Sequence, residues 1–559
     1  MRYLLKFWPH GGPSLAVSNT LFFISTLFYF TRFAPLDPEV HHDGVMAAAA
    51  IAVSEGKIPN KDVFAQYGPL APTLQGIWVY FTEPTLLSIR VFTSVILAGT
   101  SALMVILLSQ FTRRSLSFLL AAVWATSYPF FILPVNLPWS SVITTFIALL
   151  ILILALTVVK INEISSKFYF FTILSTFLGC ISIFGRLHMI LTLCAIALFS
   201  LCLNEKKMQY LYLKIWAVTT FTTIFGVLGL MSIVGALSPY INQSILWTAT
   251  RYVGNELTLS KAQVMEKLLL FLFPMMTGVY YFCYRVVRSG GLSISKKYLA
   301  FSVILLVAPI SIWKVTDKSY LNPKYFLVSI SQHFTNWLGY SAVTFLIYLF
   351  IRSLLKKSLS RFQLVIGIYG VSILSQLYPL HDVLHLYWIT PVIVVLLAIW
   401  LDTDRSLFDP NKMTTLKLIL LPLLAVNVVL STYNFAIERV AFQSDSVLQG
   451  MNGTAATVIP IQKTIDAVLS ASLTGSIEFN CMDGLYAVSG GKYLPIGKSF
   501  VNWGPEIKSS AKTRYILACN LSSIETSRIL NNHKVLSTIP IDANQTNVLY
   551  ERQRFSRND

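Results

Sequence analysis

The sequence predicts a polytopic α-helical membrane protein with a small α/β domain at its carboxyl end. Three observations support this. Of the 559 residues, 55% are hydrophobic and only 12% are charged, whereas soluble proteins average about 25% charged residues. Apolar runs of about 17–23 residues, long enough to cross a bilayer, recur along the first three quarters of the chain. The remainder has the composition of a soluble domain.

About thirteen membrane helices are expected from these runs. The first run follows Arg2 and Lys6, but no small-residue cleavage site follows it, so we interpret it as a retained helix. Residues 168–203 would need about 54 Å as one helix, so two helices meeting at Gly185 and Arg186 are expected. The expected helices lie near 14–34, 86–110, 117–135, 139–159, 168–185, 187–203, 214–237, 264–284, 297–314, 337–355, 362–379, 384–401 and 414–432.

The loop charges predict the topology. Alternate connections such as "FTRRS", "NEKKMQYLYLK" and "RSLLKKSLSR" are rich in Lys and Arg, and the opposite loops are poor in them. The positive-inside rule then places the amino terminus in the cytoplasm. The same rule accounts for the net charge of +18, so no nucleic-acid partner is expected. An odd number of helices places residues 434–559 outside the cytoplasm, after a membrane domain spanning 1–433.

The carboxyl-terminal domain, 434–559, is predicted from its local patterns. "IQKTIDAVLSAS" has helical spacing, whereas "SIEF", "RYILAC", "KVLSTIPI" and "NVLYER" are typical of strands. Cys481 and Cys519 lie in this polar region. An extracytoplasmic location would allow them to form a disulfide. The spacing of the two residues leaves the pairing open.

The first outer loop, 35–85, concentrates ionisable residues beside the membrane. "DPEVHHDG" contains Asp37, Glu39, His41, His42 and Asp43, and the following alanine-rich stretch predicts a short amphipathic helix at the interface. Asp43 could simply cap that helix. One cap needs one carboxylate, so the remaining side chains favour a functional site. The group at 41–43 is also a candidate site for a divalent metal.

Two further segments carry candidate binding residues. "KDVFAQYGPL" places Gln66 and Tyr67 before a turn and a second apolar stretch. "FGRLH" places Arg186 and His188 between two membrane helices. Arg186 could bind a lipid headgroup structurally, or it could hold the phosphate of a lipid substrate, because a guanidinium matches phosphate in a bidentate way.

A fourth segment, "YPLHDVLHLYW", contains His381, Asp382 and His385 at the predicted outer end of two membrane helices. His381 and His385 are four residues apart and share a face if the segment is helical. A lone histidine at a membrane edge is usually structural. Three ionisable residues on the same predicted side as the first outer loop favour a shared site.

Taken together, "HDG", "EGKIPNKDVFAQYGPL", a leucine-rich helix containing Arg90, "YPLHDVLHLYWITP" and "DGLYAVSGGKYLP" resemble bacterial members of the GT-C superfamily of membrane glycosyltransferases, which includes mannosyltransferases. The resemblance implies a sugar donor linked to polyprenyl phosphate, an extracytoplasmic site and a location in the bacterial plasma membrane. It also implies a catalytic carboxylate in the first outer loop, which points to Asp43, then to Asp37 or Glu39. The adjacent Asp-Glu pair of some protein-mannosylating members is missing, which leaves the acceptor open among a cell-envelope glycan, a lipid and a protein.

The mechanism expected from this resemblance is an inverting displacement that transfers a hexosyl or pentosyl group. Asp43 would accept the proton of the attacking hydroxyl, and Arg186, with His381 or His385, would stabilise the departing phosphate. A transporter or lipid flippase is the main alternative, and a non-catalytic assembly protein is another. Transporters place ionisable residues near the bilayer midplane, often in paired repeats, whereas here they gather at helix ends. The other residues expected to bind substrate are His42, Gln66, Tyr67, His188 and Asp382.

Overall fold

The structure is a computed structural model. It describes residues 13–40, 42–127, 136–246, 337–355, 359–377, 383–403, 410–433, 438–443, 446–474, 477–480, 484–489, 514–519, 529–530, 533–540 and 546–552. The helices expected near 264–284 and 297–314 lie outside these ranges. So do His41, His381, Asp382 and Cys481.

The membrane part is helical over the described ranges. Thr85 begins one of its long helices with a side-chain cap, accepting the Ser88 backbone N–H at 3.2 Å. The helices are α1 (Pro13–Thr31), α2 (His42–Ser54), α3 (Leu70–Phe81), α4 (Leu86–Leu108), α5 (Arg114–Thr126), α6 (Ser140–Val159), α7 (Ser166–Ile183), α8 (Met189–Leu198), α9 (Lys206–Ile233), α10 (Leu237–Tyr240), α11 (Trp337–Leu355), α12 (Arg361–Leu374), α13 (Val383–Thr403) and α14 (Pro410–Tyr433).

Several of these helices can cross a bilayer. Among the described residues, five helices (α4, α6, α7, α9 and most of α13) are long and apolar enough to do so. The mean hydropathy of the most apolar window in α6 reaches 3.0. The chain is therefore a mostly helical, multi-pass membrane protein, as the sequence predicts.

The long apolar run at 168–203 is divided, as its length predicts. Helix α7 ends at Ile183 and α8 begins at Met189. Gly185 and Arg186 lie in the turn between them, and both backbone N–H groups donate to the Ser182 carbonyl at 3.0 Å. The break places a buried arginine at a helix end.

Helix α2 is an interior helix, so the prediction of an amphipathic helix with one exposed face was wrong. Every residue from Asp43 to Ala52 is buried. Its alanines allow neighbouring elements to approach closely: a Cβ added to Gly76 of α3 would lie 2.5 Å from Val53. The suggestion that Asp43 caps α2 was also wrong, because Asp43 lies inside the first turn and its carboxylate has other partners.

The carboxyl-terminal part contains helices and a small sheet. A hairpin of β1 (Val440–Ala441) and β2 (Asn452–Gly453) precedes α15 (Ala455–Thr474), and α16 (Gly484–Ser489) follows the first strand of the sheet. That sheet has the order β3-β4-β6-β5, with β3 and β4 parallel and the other pairs antiparallel. Its strands are β3 (Ile477–Asn480), β4 (Tyr515–Cys519), β5 (His533–Pro540) and β6 (Thr546–Arg552).

One apolar core joins the carboxyl-terminal part to the first outer loop. Ala47 and Ile51 of α2 pack in the same buried cluster as Leu448 and Tyr486. The Leu86 N–H at the start of α4 donates to the Val447 carbonyl at 2.8 Å. The carboxyl-terminal part covers one side of α2, which contributes to the burial of that helix.

Candidate active site

A buried ion pair organises the acidic segment of the first outer loop. The Arg90 guanidinium contacts the Asp43 carboxylate through Nη2 and through Nε at 3.2 Å, and both side chains are 0% exposed. The Glu39 backbone N–H also donates to Asp43 Oδ2 at 2.8 Å. Burial raises the pKa of the Asp43 carboxyl, and the adjacent guanidinium opposes that effect. Asp43 therefore forms a buried ion pair inside the protein.

Arg90 also holds the backbone that leads into this segment. It donates to the carbonyls of Ala34 at 3.2 Å and Asp37 at 3.1 Å, and to that of Leu36. The sequence analysis named Arg90 only as part of the resemblance. A cation near the start of an apolar membrane helix was the available signal, because such a charge requires a partner.

Glu39 and His42 form a more accessible pair beside Asp43. Glu39 Oε2 lies 2.8 Å from His42 Nδ1, and it also accepts the His42 backbone N–H. The side chains are 25% and 36% exposed, respectively. A carboxylate that accepts from Nδ1 leaves Nε2 of a neutral imidazole able to take a proton.

An aromatic wall runs from His42 into the membrane part. The His42 ring packs edge-on against Trp139 with centroids 5.1 Å apart, and Tyr67 packs on the same indole at 5.0 Å. The Arg186 guanidinium carbon lies 4.9 Å from the centre of the Tyr67 ring, within the range of a cation–π contact. We call His42, Trp139, Tyr67, Arg186 and His385 the cation–aromatic chain.

The inner end of this chain gathers basic groups from separate segments. Arg186 Nη2 lies 3.3 Å from His385 Nε2, and Arg186 Nε donates to Ser140 Oγ at 3.3 Å. Both basic residues are buried, with 4% and 9% exposure. Burial, with smaller contributions from the charges of Arg186 and His385, lowers the pKa of His188 to about 3. The Arg186 guanidinium places a positive charge here, as a site for an anion requires.

The turn before α3 places Tyr67 against the 183–189 break. Gly68 has φ +101°, and a Cβ there would lie 2.4 Å from the Phe184 carbonyl oxygen. Only glycine accommodates both that backbone and that approach. The Leu70 N–H donates to the same carbonyl at 3.1 Å. These contacts fix Tyr67 beside Arg186.

A second outer segment supports this turn. Asn60 Nδ2 donates to Gln243 Oε1 at 3.0 Å, and Gln243 Nε2 returns a hydrogen bond to the Asn60 carbonyl at 2.9 Å. The same Gln243 oxygen accepts the Ala65 N–H at 3.2 Å. Sequence reasoning missed Asn60, Gln243 and Trp139, because nothing in a polar loop or an apolar run marks long-range partners.

The remaining candidates differ in placement. Asp37 lies at the junction with the carboxyl-terminal part, where its Oδ2 accepts from Arg439 Nη1 at 2.6 Å. Gln66 is 8% exposed, next to Tyr67. The expected site at 41–43 does not gather a metal's ligands in the part described: His42 pairs with Glu39, and Asp43 pairs with Arg90. No cluster of three His, Cys, Asp or Glu side chains suited to a metal occurs in the described ranges.

The search with protein-family models finds no match, and the search of curated proteins finds none. Three solved structures are similar to the chain. An oligosaccharyltransferase from Archaeoglobus fulgidus in complex with Zn and sulfate has 11% identity and a TM-score of 0.47, covering 88% of this chain and 67% of that one. ArnT from Cupriavidus metallidurans bound to undecaprenyl phosphate has 10% identity and a TM-score of 0.45, covering 96% and 98%.

The same ArnT in its apo state has 9% identity and a TM-score of 0.41, again covering 96% of this chain and 98% of that chain. Both proteins are GT-C superfamily glycosyltransferases, the class that the sequence resembles. All three TM-scores lie below 0.5.

Proposed function

We propose that this protein is an integral membrane glycosyltransferase that moves a sugar from a polyprenyl-phosphate donor to an extracytoplasmic acceptor. One observation carries the proposal. The first outer loop, the 183–189 break and the start of α13 are far apart in sequence, yet their polar side chains meet in the cation–aromatic chain. A donor whose lipid tail lies in the bilayer needs such a site at the ends of membrane helices.

The end of the cation–aromatic chain formed by Arg186 and His385 has the chemistry of a phosphate site. Arg186 can donate two parallel hydrogen bonds to a phosphate, and His385 lies 3.3 Å away. Helix α6 begins at Ser140, which contacts Arg186, and a helix start favours anions. We assign Arg186 and His385 to the departing phosphate and Tyr67 to holding the guanidinium in place.

We assign the catalytic base to His42, with Glu39 as the carboxylate that holds its Nδ1. Asp43 was the first choice from the sequence, but its carboxylate is buried against Arg90. In the proposed step the acceptor oxygen attacks the anomeric carbon as His42 Nε2 takes its proton, and Glu39 stabilises the imidazolium. The bond from that carbon to the phosphate oxygen breaks, and the polyprenyl phosphate leaves with the bonding electrons. Configuration is inverted.

Asp43 and Asp37 then position the base. Asp43 fixes Arg90, which in turn fixes three carbonyls before Glu39. Asp37 binds the carboxyl-terminal part. Cys519 is disulfide-bonded, which supports the proposal that residues 434–559 form an extracytoplasmic domain, since structural disulfides belong to oxidising compartments. The loop charges agree with a cytoplasmic amino terminus, and the resemblance to bacterial GT-C enzymes favours a location in the bacterial plasma membrane.

The test is transfer from a radiolabelled polyprenyl-phosphate sugar by the purified full chain in vesicles. Wild-type protein should form a new glycosidic bond with inverted configuration. Glu39→Gln should reduce kcat by about 100-fold, within the range for general base catalysis. Glu55→Gln is the matched control, because Glu55 is an exposed glutamate of the same loop. Movement of the donor across the vesicle wall without bond formation would instead establish a flippase.

A further inference from the structure

We infer that the carboxyl-terminal part acts as a clamp on the catalytic loop, with Arg439 as its main positioning residue. The inference rests on the proposed function and assigns a role to residues 438–443 and 446–453. It concerns how the Glu39–His42 pair is held.

The clamp begins with strand-like pairing between the loop and β2. The Asn452 N–H donates to the Pro35 carbonyl at 2.7 Å, and the Asn452 carbonyl accepts the Asp37 N–H at 2.7 Å. Leu36 is thereby bridged in parallel to Asn452. Because β2 also pairs with β1, Asn452 joins the loop to the hairpin through a single parallel bridge.

The opposite edge of the same segment faces Arg90. Carbonyls of alternate residues, Ala34 and Leu36, accept from Arg90, whereas the Pro35 carbonyl between them accepts from Asn452. The carbonyls of Ala34 and Leu36 therefore point to the membrane helix, and that of Pro35 points to the carboxyl-terminal part. The segment is therefore held between a membrane helix and the carboxyl-terminal part.

A charged contact locks the end of the segment. Arg439 Nη1 donates to Asp37 Oδ2 at 2.6 Å, and the Arg439 side chain is only 12% exposed. Asp37 has φ +42°, a conformation uncommon for residues other than glycine, so the chain must be kept in that turn. A Cβ on Gly453 would lie 3.0 Å from Asp37 Oδ1, which leaves little room for a larger residue there.

The Glu39–His42 pair lies between two contacts with the carboxyl-terminal part. Glu39 follows Asp37 by two residues, and the Val40 carbonyl accepts the Leu485 N–H of α16 at 3.3 Å. Contacts on both sides of Glu39 thus come from residues beyond 438. The clamp should set the orientation of Glu39 and His42 without touching Arg186 or His385, so it should affect kcat more than donor binding.

The experiment compares Arg439→Gln with Arg514→Gln in the full-length chain. Arg514 is the matched control, because it pairs with Glu551 at 3.3 Å within the sheet. Arg439→Gln should lower kcat at least tenfold per folded molecule, with the donor KM changed less than twofold. Arg439→Lys should recover part of the loss. Asp37→Asn should add little to Arg439→Gln, because both remove one contact.

A second readout does not depend on activity. Hydrogen exchange of the backbone amides at 35–43 should become faster in Arg439→Gln and stay unchanged in Arg514→Gln. Unchanged kcat together with unchanged exchange would overturn the clamp. If the wild-type protein transferred no sugar, the proposed function would fail, while the exchange comparison would still decide whether the clamp exists.

Discussion

Replacing Asp43 with Asn tests whether Asp43 is a partner in a buried ion pair or the catalytic base. The substitution keeps the size of the side chain but leaves the Arg90 cation, 0% exposed, without its counter-charge. Breaking one side of a buried pair costs about 3–5 kcal/mol. Arg90→Met should cost more than Asp43→Asn, because it also releases the carbonyls of Ala34, Leu36 and Asp37, and a buried unsatisfied acceptor costs about 1–3 kcal/mol.

The double variant completes the test. With both charges removed, no uncompensated ion remains, so the combined loss should be smaller than the sum of the single losses by about 1–3 kcal/mol. The free energy of unfolding is measured by denaturant titration in mixed micelles, with transfer assayed on the folded fraction. The reasoning is refuted if Asp43→Asn keeps wild-type stability yet loses all transfer, since Asp43 would then be the base.

Four further outcomes are expected. Arg186→Gln should raise the donor KM at least tenfold, and Arg186→Lys should raise it less, as measured by initial rates. Only arginine can bind phosphate in a bidentate way while its guanidinium carbon lies 4.9 Å from the centre of the Tyr67 ring. Equal KM values in all three proteins would contradict this. His188 has its pKa lowered to about 3 by burial, so it contributes stability above its unfolded pKa of about 6.5 that is lost as pH falls from there towards 3; His188→Asn should flatten that part of the stability profile. Gly68→Ala should lower stability by about 2 kcal/mol or more, whereas Gly56→Ala, also at positive φ but with open space around it, should lose less; equal losses would remove the Phe184 contact as the cause. Mass mapping without reductant should find Cys519 joined to Cys481, and Cys481→Ser should lower the thermal stability of the carboxyl-terminal part; a free Cys481 thiol would exclude that pairing.

Chelation tests whether a divalent metal takes part in the transfer. Chelation by EDTA should leave transfer unchanged, because Asp43 and His42 have protein partners. Activity lost with EDTA and restored by one divalent cation would show instead that transfer requires a metal.

The sequence predicted the helical, multi-pass class and the division of 168–203, because both follow from the length of apolar runs. It also selected His42, Tyr67, Arg186 and His385, since polar side chains at helix ends stand out in an apolar chain. The sequence-based prediction for α2 was wrong, because an alanine-rich helix has no face that is clearly apolar or polar. Only the packing of α3 and α16 against α2 makes it an interior helix.

What the sequence determined by itself was therefore the helical, multi-pass class and the set of ionisable residues near the helix ends, since hydropathy and charge are local properties. The tertiary structure alone decided how those residues are partnered. Asp43 is bound by Arg90, and Asp37 by Arg439, which lies about 400 residues further along. A carboxylate's role depends on which cation or donor reaches it in three dimensions and on how much water remains, and neither quantity is encoded in its neighbours along the chain.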